Sequence, residues 1–437
     1  MSKKTNNNHD NLNQIQVVPV AEAEISAPEP DLVAKTAASI KRIFYSLRHR
    51  DYAVIWIGGW FSNIGTWIQN VAIGWLVYRL TNSSVSLGIV NFSSTIPVFF
   101  LSFYAGTVVD RLSKKWIIFW GNFFPMLFAF VLGYLVGSSR ATMEALVVLS
   151  FGSGIAAAFA FPAWQSFISE LVPKKDLMNA IALNSVQFHA SRLIGPAAAG
   201  FLVAELGLKW AFYVNGISFL AVILALVMVK GRQSVIQKRQ GWLKEVEDGF
   251  CYLRQKPLLL WYMAMVALIG IFGIAYLSTL LPIYAGNVLE VEAKEFGFLV
   301  SANGLGGLLG ALFVAWISGR KKPDEIVRWS FPLAAVGFLL LSLIKHFLLA
   351  AVLLFLIGAF FLATSSTLNT AIQAAVDHAY RGRVMSIFVW MFMGLSPFGA
   401  LLGGFAGRLL GINGAFALAG GIMLVLGLIA LKKSKTA

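Results

Sequence analysis

The sequence predicts an all-α integral membrane protein, with twelve transmembrane helices in two pseudo-symmetric halves of six. Three observations carry this. Of 437 residues, 58% are hydrophobic and 13% charged, about half the charged share of a soluble protein. Twelve apolar stretches each reach the roughly 20 residues that a helix needs to cross a hydrocarbon layer. One group of residues also recurs at a fixed distance along the chain.

The stretches lie near 52–79, 86–109, 116–137, 142–169, 178–204 and 208–230 in the first half. In the second half they lie near 258–286, 295–318, 325–344, 347–372, 382–407 and 412–431. Residues 1–44 are polar, rich in Asn, Glu, Ala and Pro, and are expected to be a disordered tail. No signal peptide is visible there. The two halves are then 45–230 and 258–437, the second ending in a short basic tail. Between them, 231–257 carries Trp242, Leu243, Val246, Phe250 and Leu253 at helical spacing, with Lys244, Glu245, Glu247, Asp248 and Arg254 opposite. That pattern predicts an amphipathic helix at the membrane interface.

The repeat has an offset of 204 residues. Ile168, Val172, Gly195, Gly200, Phe201, Gly207, Ala211 and Phe212 return as Ile372, Val376, Gly399, Gly404, Phe405, Gly411, Ala415 and Phe416. Parallel repeats of this kind are a feature of transporters built from two similar bundles.

Charge sets the expected orientation. Of 35 Lys and Arg residues, 28 fall on the side of both termini, six on the other side, and one, Arg192, inside a span. By the positive-inside rule both termini are cytoplasmic. The net charge of +15 is thereby a topology signal, and no nucleic-acid partner is needed to explain it. The single cysteine, Cys251, excludes an intramolecular disulfide and any cysteine metal cluster. No metal site, cofactor motif or deep pair of acids is present to suggest an enzyme.

Two motifs stand out. Residues 106–115 read Gly-Thr-Val-Val-Asp-Arg-Leu-Ser-Lys-Lys and join the second and third spans by a short basic turn. Gly106 permits close helix approach, and Asp110, Arg111, Lys114 and Lys115 supply the charges. A weaker echo, Gly319, Arg320, Lys321 and Lys322, follows the eighth span without the acid. In the fifth span, Arg192, Gly195, Pro196 and Gly200 form a Gly-Pro stretch that can bend, with Ala199 beside the last glycine.

The spacing Gly-x3-Asp-Arg-x2-Lys-Lys resembles the loop 2–3 signature of the major facilitator superfamily. The Gly-Pro stretch resembles, in part, the span-five motif of that superfamily's antiporters. Further segments are similar to the enterobactin-exporter-like branch, which includes siderophore exporters and macrolide efflux pumps. These are 47–52, 75–81, 161–165, 179–185 and 192–196, which read Leu-Arg-His-Arg-Asp-Tyr, Trp-Leu-Val-Tyr-Arg-Leu-Thr, Phe-Pro-Ala-Trp-Gln, Asn-Ala-Ile-Ala-Leu-Asn-Ser and Arg-Leu-Ile-Gly-Pro. The resemblance covers roughly residues 45–430.

It implies a monomeric secondary transporter of the inner, cytoplasmic membrane, in contact with lipid. Such a transporter exports a small, bulky amphiphilic or anionic molecule by alternating access, coupled to H+. It also implies that Asp110 and Arg111 latch the cytoplasmic gate. The cavity would lie between the halves, lined by spans 1, 2, 4, 5, 7, 8, 10 and 11. Candidates on these spans are Asn63, Thr66, Gln69, Asn70, Trp164, Gln165, His189, Tyr276, Thr279, Asn369 and Trp390. Neutral polar groups among aromatic ones suit a partly apolar ligand. Arg192 is the one basic residue inside a span, where charge is costly and marks function. No carboxylate sits at mid-membrane, so proton-carrying groups reduce to His189, Asp110, Glu170 and Glu144. An uptake permease of the same fold is the competing reading.

Overall fold

The computed structural model describes residues 44–229 and 242–434, apart from the side chains of Phe103, Thr107, Asp110, 242–246 and 433–434. The expected tail, except Phe44, therefore lies outside the described residues, as does 230–241 of the expected linker. From Tyr45 onward the chain forms one compact unit.

The first half of the chain supplies α1 (Arg50–Thr81), α2 (Ser84–Arg111), α3 (Lys114–Gly137), α4 (Met143–Leu171), α5 (Leu177–Leu206) and α6 (Leu208–Met228). The short helix α7 (Trp242–Arg254) follows. The second half begins with α8 (Pro257–Leu268), which passes through a π-helical stretch, Ile269–Ala275, into α9 (Tyr276–Asn287). Then come α10 (Ala293–Ile317), α11 (Pro323–Leu341), α12 (Phe347–Ala375) and α13 (Arg381–Val389). A second π stretch, Trp390–Gly394, leads into α14 (Ser396–Ser434).

Eight stretches of the described residues are long and apolar enough to cross a membrane. The longest, Arg381–Lys432, has 52 residues. At 1.5 Å per residue it would measure about 78 Å if straight, against a hydrocarbon layer of about 30 Å. It turns back instead at Gly411, whose φ is 72°. The helices α1, α5 and α11 also reach spanning length but hold more polar or charged residues. The polar residues of α1 and α5 include the candidates Asn63, Thr66, Gln69, Asn70, His189 and Arg192.

The turns follow local chemistry. Asn82 takes a left-handed φ of 46° and caps α1, while the Ser83 hydroxyl accepts from the Ser86 N–H to open α2. The Thr142 hydroxyl does the same for α4. Pro257 and Pro323 stand at the first turns of α8 and α11, where a missing N–H costs nothing.

The sequence repeat is a repeat of structure. Gly207 and Gly411 both turn the chain with positive φ, 90° and 72°. Ala211, Phe212, Ala415 and Phe416 are all wholly buried, whereas Phe201 and Phe405 are both exposed. The two most extensive crossings between the halves are α5 on α10 and α2 on α14. They are built alike. A Cβ on Gly297 would lie 2.5 Å from the Pro196 carbonyl oxygen and 2.8 Å from Gly200 Cα. A Cβ on Gly88 would lie 2.8 Å from the Ala400 carbonyl oxygen and 3.3 Å from Gly404 Cα. Pro196 and Gly200 are 204 residues before Ala400 and Gly404. Backbones this close leave no room for a side chain, as in small-residue packing of membrane helices.

The amphipathic helix is α7. Its Leu253 is fully buried, and a Cβ on Gly249 would press Ile387 and Arg383 of α13. Tyr252 stacks on Tyr380 and donates to Asp377, and Arg383 lies 3.5 Å from Asp248. The apolar face of this helix thus rests on α13.

Candidate transport cavity

A cavity of about 330 Å³ opens among spans 1, 2, 4, 5, 7, 8, 10 and 11. Its walls are largely apolar: Val71, Val90, Ile274, Leu277, Phe361 and Phe392. Polar groups are few and come from different helices: Asn70, Asn91, Ser94, Thr95, Ser150, Arg192, Ser278, Asn303 and Ser365. The Ser150 hydroxyl is buried and has no protein partner.

Arg192 is the charge in this wall. Its Nη2 donates to Asn303 Oδ1 at 2.9 Å, which ties α5 to α10. Asn303 Nδ2 in turn donates to the Leu354 carbonyl of α12 at 3.0 Å. The guanidinium also stands 5.8 Å from the centre of the Trp67 ring, over its face. Close approach of α10 is required, since a Cβ on Gly304 would sit 2.7 Å from the Arg192 carbonyl oxygen. No ion pair to Arg192 occurs among the described residues. Its positive charge is held by a neutral amide oxygen and a ring face, and one side of it meets the cavity.

Of the sequence candidates, Asn70 and Arg192 line this cavity. The others sit elsewhere. Gln69 is buried and accepts from Asn215 at 2.8 Å within the first half. Successive helical residues are about 100° apart, so Gln69 and Asn70 face different neighbours. Thr66 donates to the Ser62 carbonyl, and Asn63 is half-buried. Trp164 donates to Asn184 at 3.3 Å, and Gln165 is exposed. His189 is half-buried, its ring 5.7 Å from that of Phe188. Tyr276 is buried and donates to the Ala415 carbonyl. Thr279 accepts from Asn91 Nδ2 at 3.0 Å across the halves. Asn369 accepts from Gln373, and the Trp390 ring lies 5.1 Å from Phe99. Asn91 and Asn303 line the cavity and were not among the sequence candidates; each is the only Asn in its span.

Contacts between the halves are distributed unevenly. Tyr78 donates to Asn287 at 3.0 Å, and Asn287 donates to Asn82 at 2.8 Å. Trp75 stacks on Phe296, and Ser84 donates to the Gly404 carbonyl. These close the end away from the termini. At the terminus end, the polar contacts among the described residues stay within one half or join it to α7. Arg48 and His49 meet Asp176 at 2.9 and 2.8 Å. Asp176 lies in the turn before α5, and the His49 hydrogen bond, then Arg48, holds its carboxyl below the usual carboxylate range. Lys114 pairs with Glu170 of α4, and Lys115 donates to the Val229 carbonyl at the end of α6. Arg111 is exposed, and a Cβ on Gly106 would meet nothing within 4 Å. The side chain of Asp110 lies outside the described residues.

The transmembrane secretion effector family profile matches residues 42–436. The staphyloferrin A transporter of Staphylococcus aureus (strain NCTC 8325 / PS 47) is 25% identical over 365 residues, covering 82% of this chain and 89% of the relative. The enterobactin exporter EntS of Shigella boydii serotype 18 (strain CDC 3083-94 / BS512) is 24% identical over 384 residues, covering 86% and 90%. Among solved structures, a bacterial homologue of the iron transporter ferroportin in an inward-facing state aligns with a TM-score of 0.68. It shares 16% identity and covers 89% of this chain and 98% of that one.

Proposed function

The chain belongs to the transmembrane secretion effector family of major facilitator transporters, and from that premise we propose that it exports a bulky amphiphilic or anionic small molecule, siderophore-like or drug-like, from the cytoplasm. It is a multi-pass membrane transporter with a small-molecule substrate.

One observation carries the substrate class. Arg192 faces a mostly apolar cavity with no carboxylate paired to it among the described residues. A guanidinium stays charged in proteins, so an anionic group on an otherwise apolar ligand complements this wall. The relatives named for staphyloferrin A and enterobactin support a siderophore-like acid or catechol.

We read twelve crossings in two halves, 45–230 and 258–437, with 231–257 between them and both termini in the cytoplasm. The charge bias supports this orientation. The state is then closed outward by Tyr78, Asn82 and Asn287 and approached from the cytoplasm. In the opposite state, Asp110 and Arg111 latch the cytoplasmic end, and the α5–α10 and α2–α14 crossings act as pivots. The Gly195-Pro196 stretch allows α5 to bend during that exchange. Proton coupling would fall to His189, Asp110 or Glu170. We take the transporter to act as a monomer in the inner membrane.

Everted membrane vesicles test direction. Uptake into them of a catecholate or α-hydroxycarboxylate siderophore on imposing an inward-acidic pH gradient supports export. Uptake by intact cells instead would make the chain a permease.

A further inference from the structure

A second cavity, of about 500 Å³, lies away from the first, among α10, α11 and α12. It is lined by Leu309, Phe313 and Ile317 of α10, Trp329 of α11, and Phe360 and Ala363 of α12, with Lys321 at one end. Beside it the molecule shows an apolar outer face: Leu309, Leu312, Phe313 and Trp316 are exposed. Ile317, Ile326 and Ala363 are buried in one small cluster beneath. From Leu309 to Ile317 the wall rises about 12 Å along the helix axis, so the slot runs lengthwise through the depth of one leaflet.

The basic end is built, not incidental. Gly319 turns the chain at φ 88°, and the Arg320 N–H donates to the Ile317 carbonyl. The turn thus carries three successive cations, Arg320, Lys321 and Lys322, of which Lys321 lines the slot. Arg320 stacks 4.9 Å over the exposed Trp316 ring, an aromatic at interfacial depth. The nearby acids are partly engaged. Asp324 accepts from Tyr262, and Glu325 lies 3.4 Å from Lys321 in an exposed pair of little strength. This turn is the repeat image of the basic turn after α2, lacking its acid, and the transport reading assigns it no role.

We propose that this slot holds an acyl chain of an anionic phospholipid, whose phosphate is bound by Arg320 and Lys321. A slot with almost no polar wall offers nothing to a hydrophilic ligand. A cluster of cations at its mouth selects the lipid headgroup by charge.

The test uses the full-length chain in phosphatidylcholine nanodiscs carrying a trace of phosphatidylglycerol or phosphatidylcholine with a photoactivatable acyl chain. Adducts are mapped by mass spectrometry. Phosphatidylglycerol should label the segments around Phe313, Trp329 and Phe360 at least about fivefold more than phosphatidylcholine. Leu309→Trp, at an exposed position, should fill the slot and remove both adducts. Arg320→Gln with Lys321→Gln should bring the two lipids level while labelling persists. Equal labelling of the two lipids by the wild type would overturn the proposal. So would adducts that survive Leu309→Trp, or a co-purifying protein found in the slot.

Discussion

Arg192 of α5 donates to Asn303 of α10 at 2.9 Å, and this bond crosses from the first half of the chain to the second inside the cavity wall. It is a charge-assisted bond in a region that excludes much of the water, and Asn303 is itself fixed by the Leu354 carbonyl. Such a bond contributes about 1.5–3 kcal/mol when made, enough to bias which state of the transporter is populated. A ligand anion can share Arg192 with Asn303 or replace it.

Substitution at this pair separates two roles. Arg192→Lys keeps charge and loses the planar fork, and Arg192→Gln loses both. If ligand charge governs, Lys retains part of the export and Gln almost none. Asn303→Ala leaves Arg192 charged but unpaired, and should lower transport about tenfold with little loss of membrane insertion. Vesicle flux normalised to the amount of inserted protein decides this. Normal export by Arg192→Ala would remove Arg192 from the mechanism.

The glycine crossings make a structural prediction. Gly297→Val sets a side chain against the Pro196 carbonyl, and Gly88→Val does the same at Ala400. Each should destabilise by about 1–3 kcal/mol through overpacking. The two should behave alike, as the crossings have the same construction. Unfolding in detergent, followed by tryptophan fluorescence, measures both. A loss at one site only would mean that the likeness of the crossings is not energetic.

Asp176 gives a pH dependence outside the spans. Its carboxyl is held below the ordinary range by His49 and Arg48. A lowered folded-state value stabilises at pH above the unfolded value of about 3.9. That stabilisation disappears as pH falls through the folded value. Asp176→Asn should therefore unfold at a lower temperature than wild type near neutral pH, and the gap should narrow as pH falls below the unfolded value and through the lowered folded one. A gap unchanged at low pH would show that the ion pairs do not contribute.

Orientation has a direct check. In a Cys251→Ser background, Ser138→Cys and His378→Cys lie in turns at opposite ends of the bundle. An impermeant thiol reagent on intact cells should label position 138 and spare position 378. Equal labelling would contradict cytoplasmic termini.

The legibility of the chain divides along physical lines. The repeat was legible because Gly207 and Gly411 must both adopt positive φ, and because Phe212 and Phe416 fill the same buried place. Length and hydropathy located the helices to within a few residues. The π stretches at Ile269–Ala275 and Trp390–Gly394 left no such trace. They lie where α8–α9 crosses the chain entering α14: a Cβ on Gly270 would be 2.5 Å from the Met391 carbonyl oxygen. That is a tertiary contact, and no local pattern encodes it. Little of the cavity lining was legible. Asn70 and Arg192 reach it, but Gln69 turns to Asn215 and Tyr276 to Ala415. Which polar side chain meets a ligand and which meets another helix depends on rotation about the helix axis. A single sequence rich in apolar residues on every side does not fix that rotation.

Export of an anionic amphiphile past Arg192 can be read from comparative analysis of spent medium. Strains with the gene deleted, restored, or restored as Arg192→Gln are grown with limiting iron, and both medium and cells are profiled. An anionic, partly apolar compound should leave the medium and build up in deleted cells. The wild-type gene should reverse this, and Arg192→Gln should not, at equal membrane abundance. A compound that instead accumulates in the medium of the deletion strain, or full reversal by Arg192→Gln, would contradict export past Arg192.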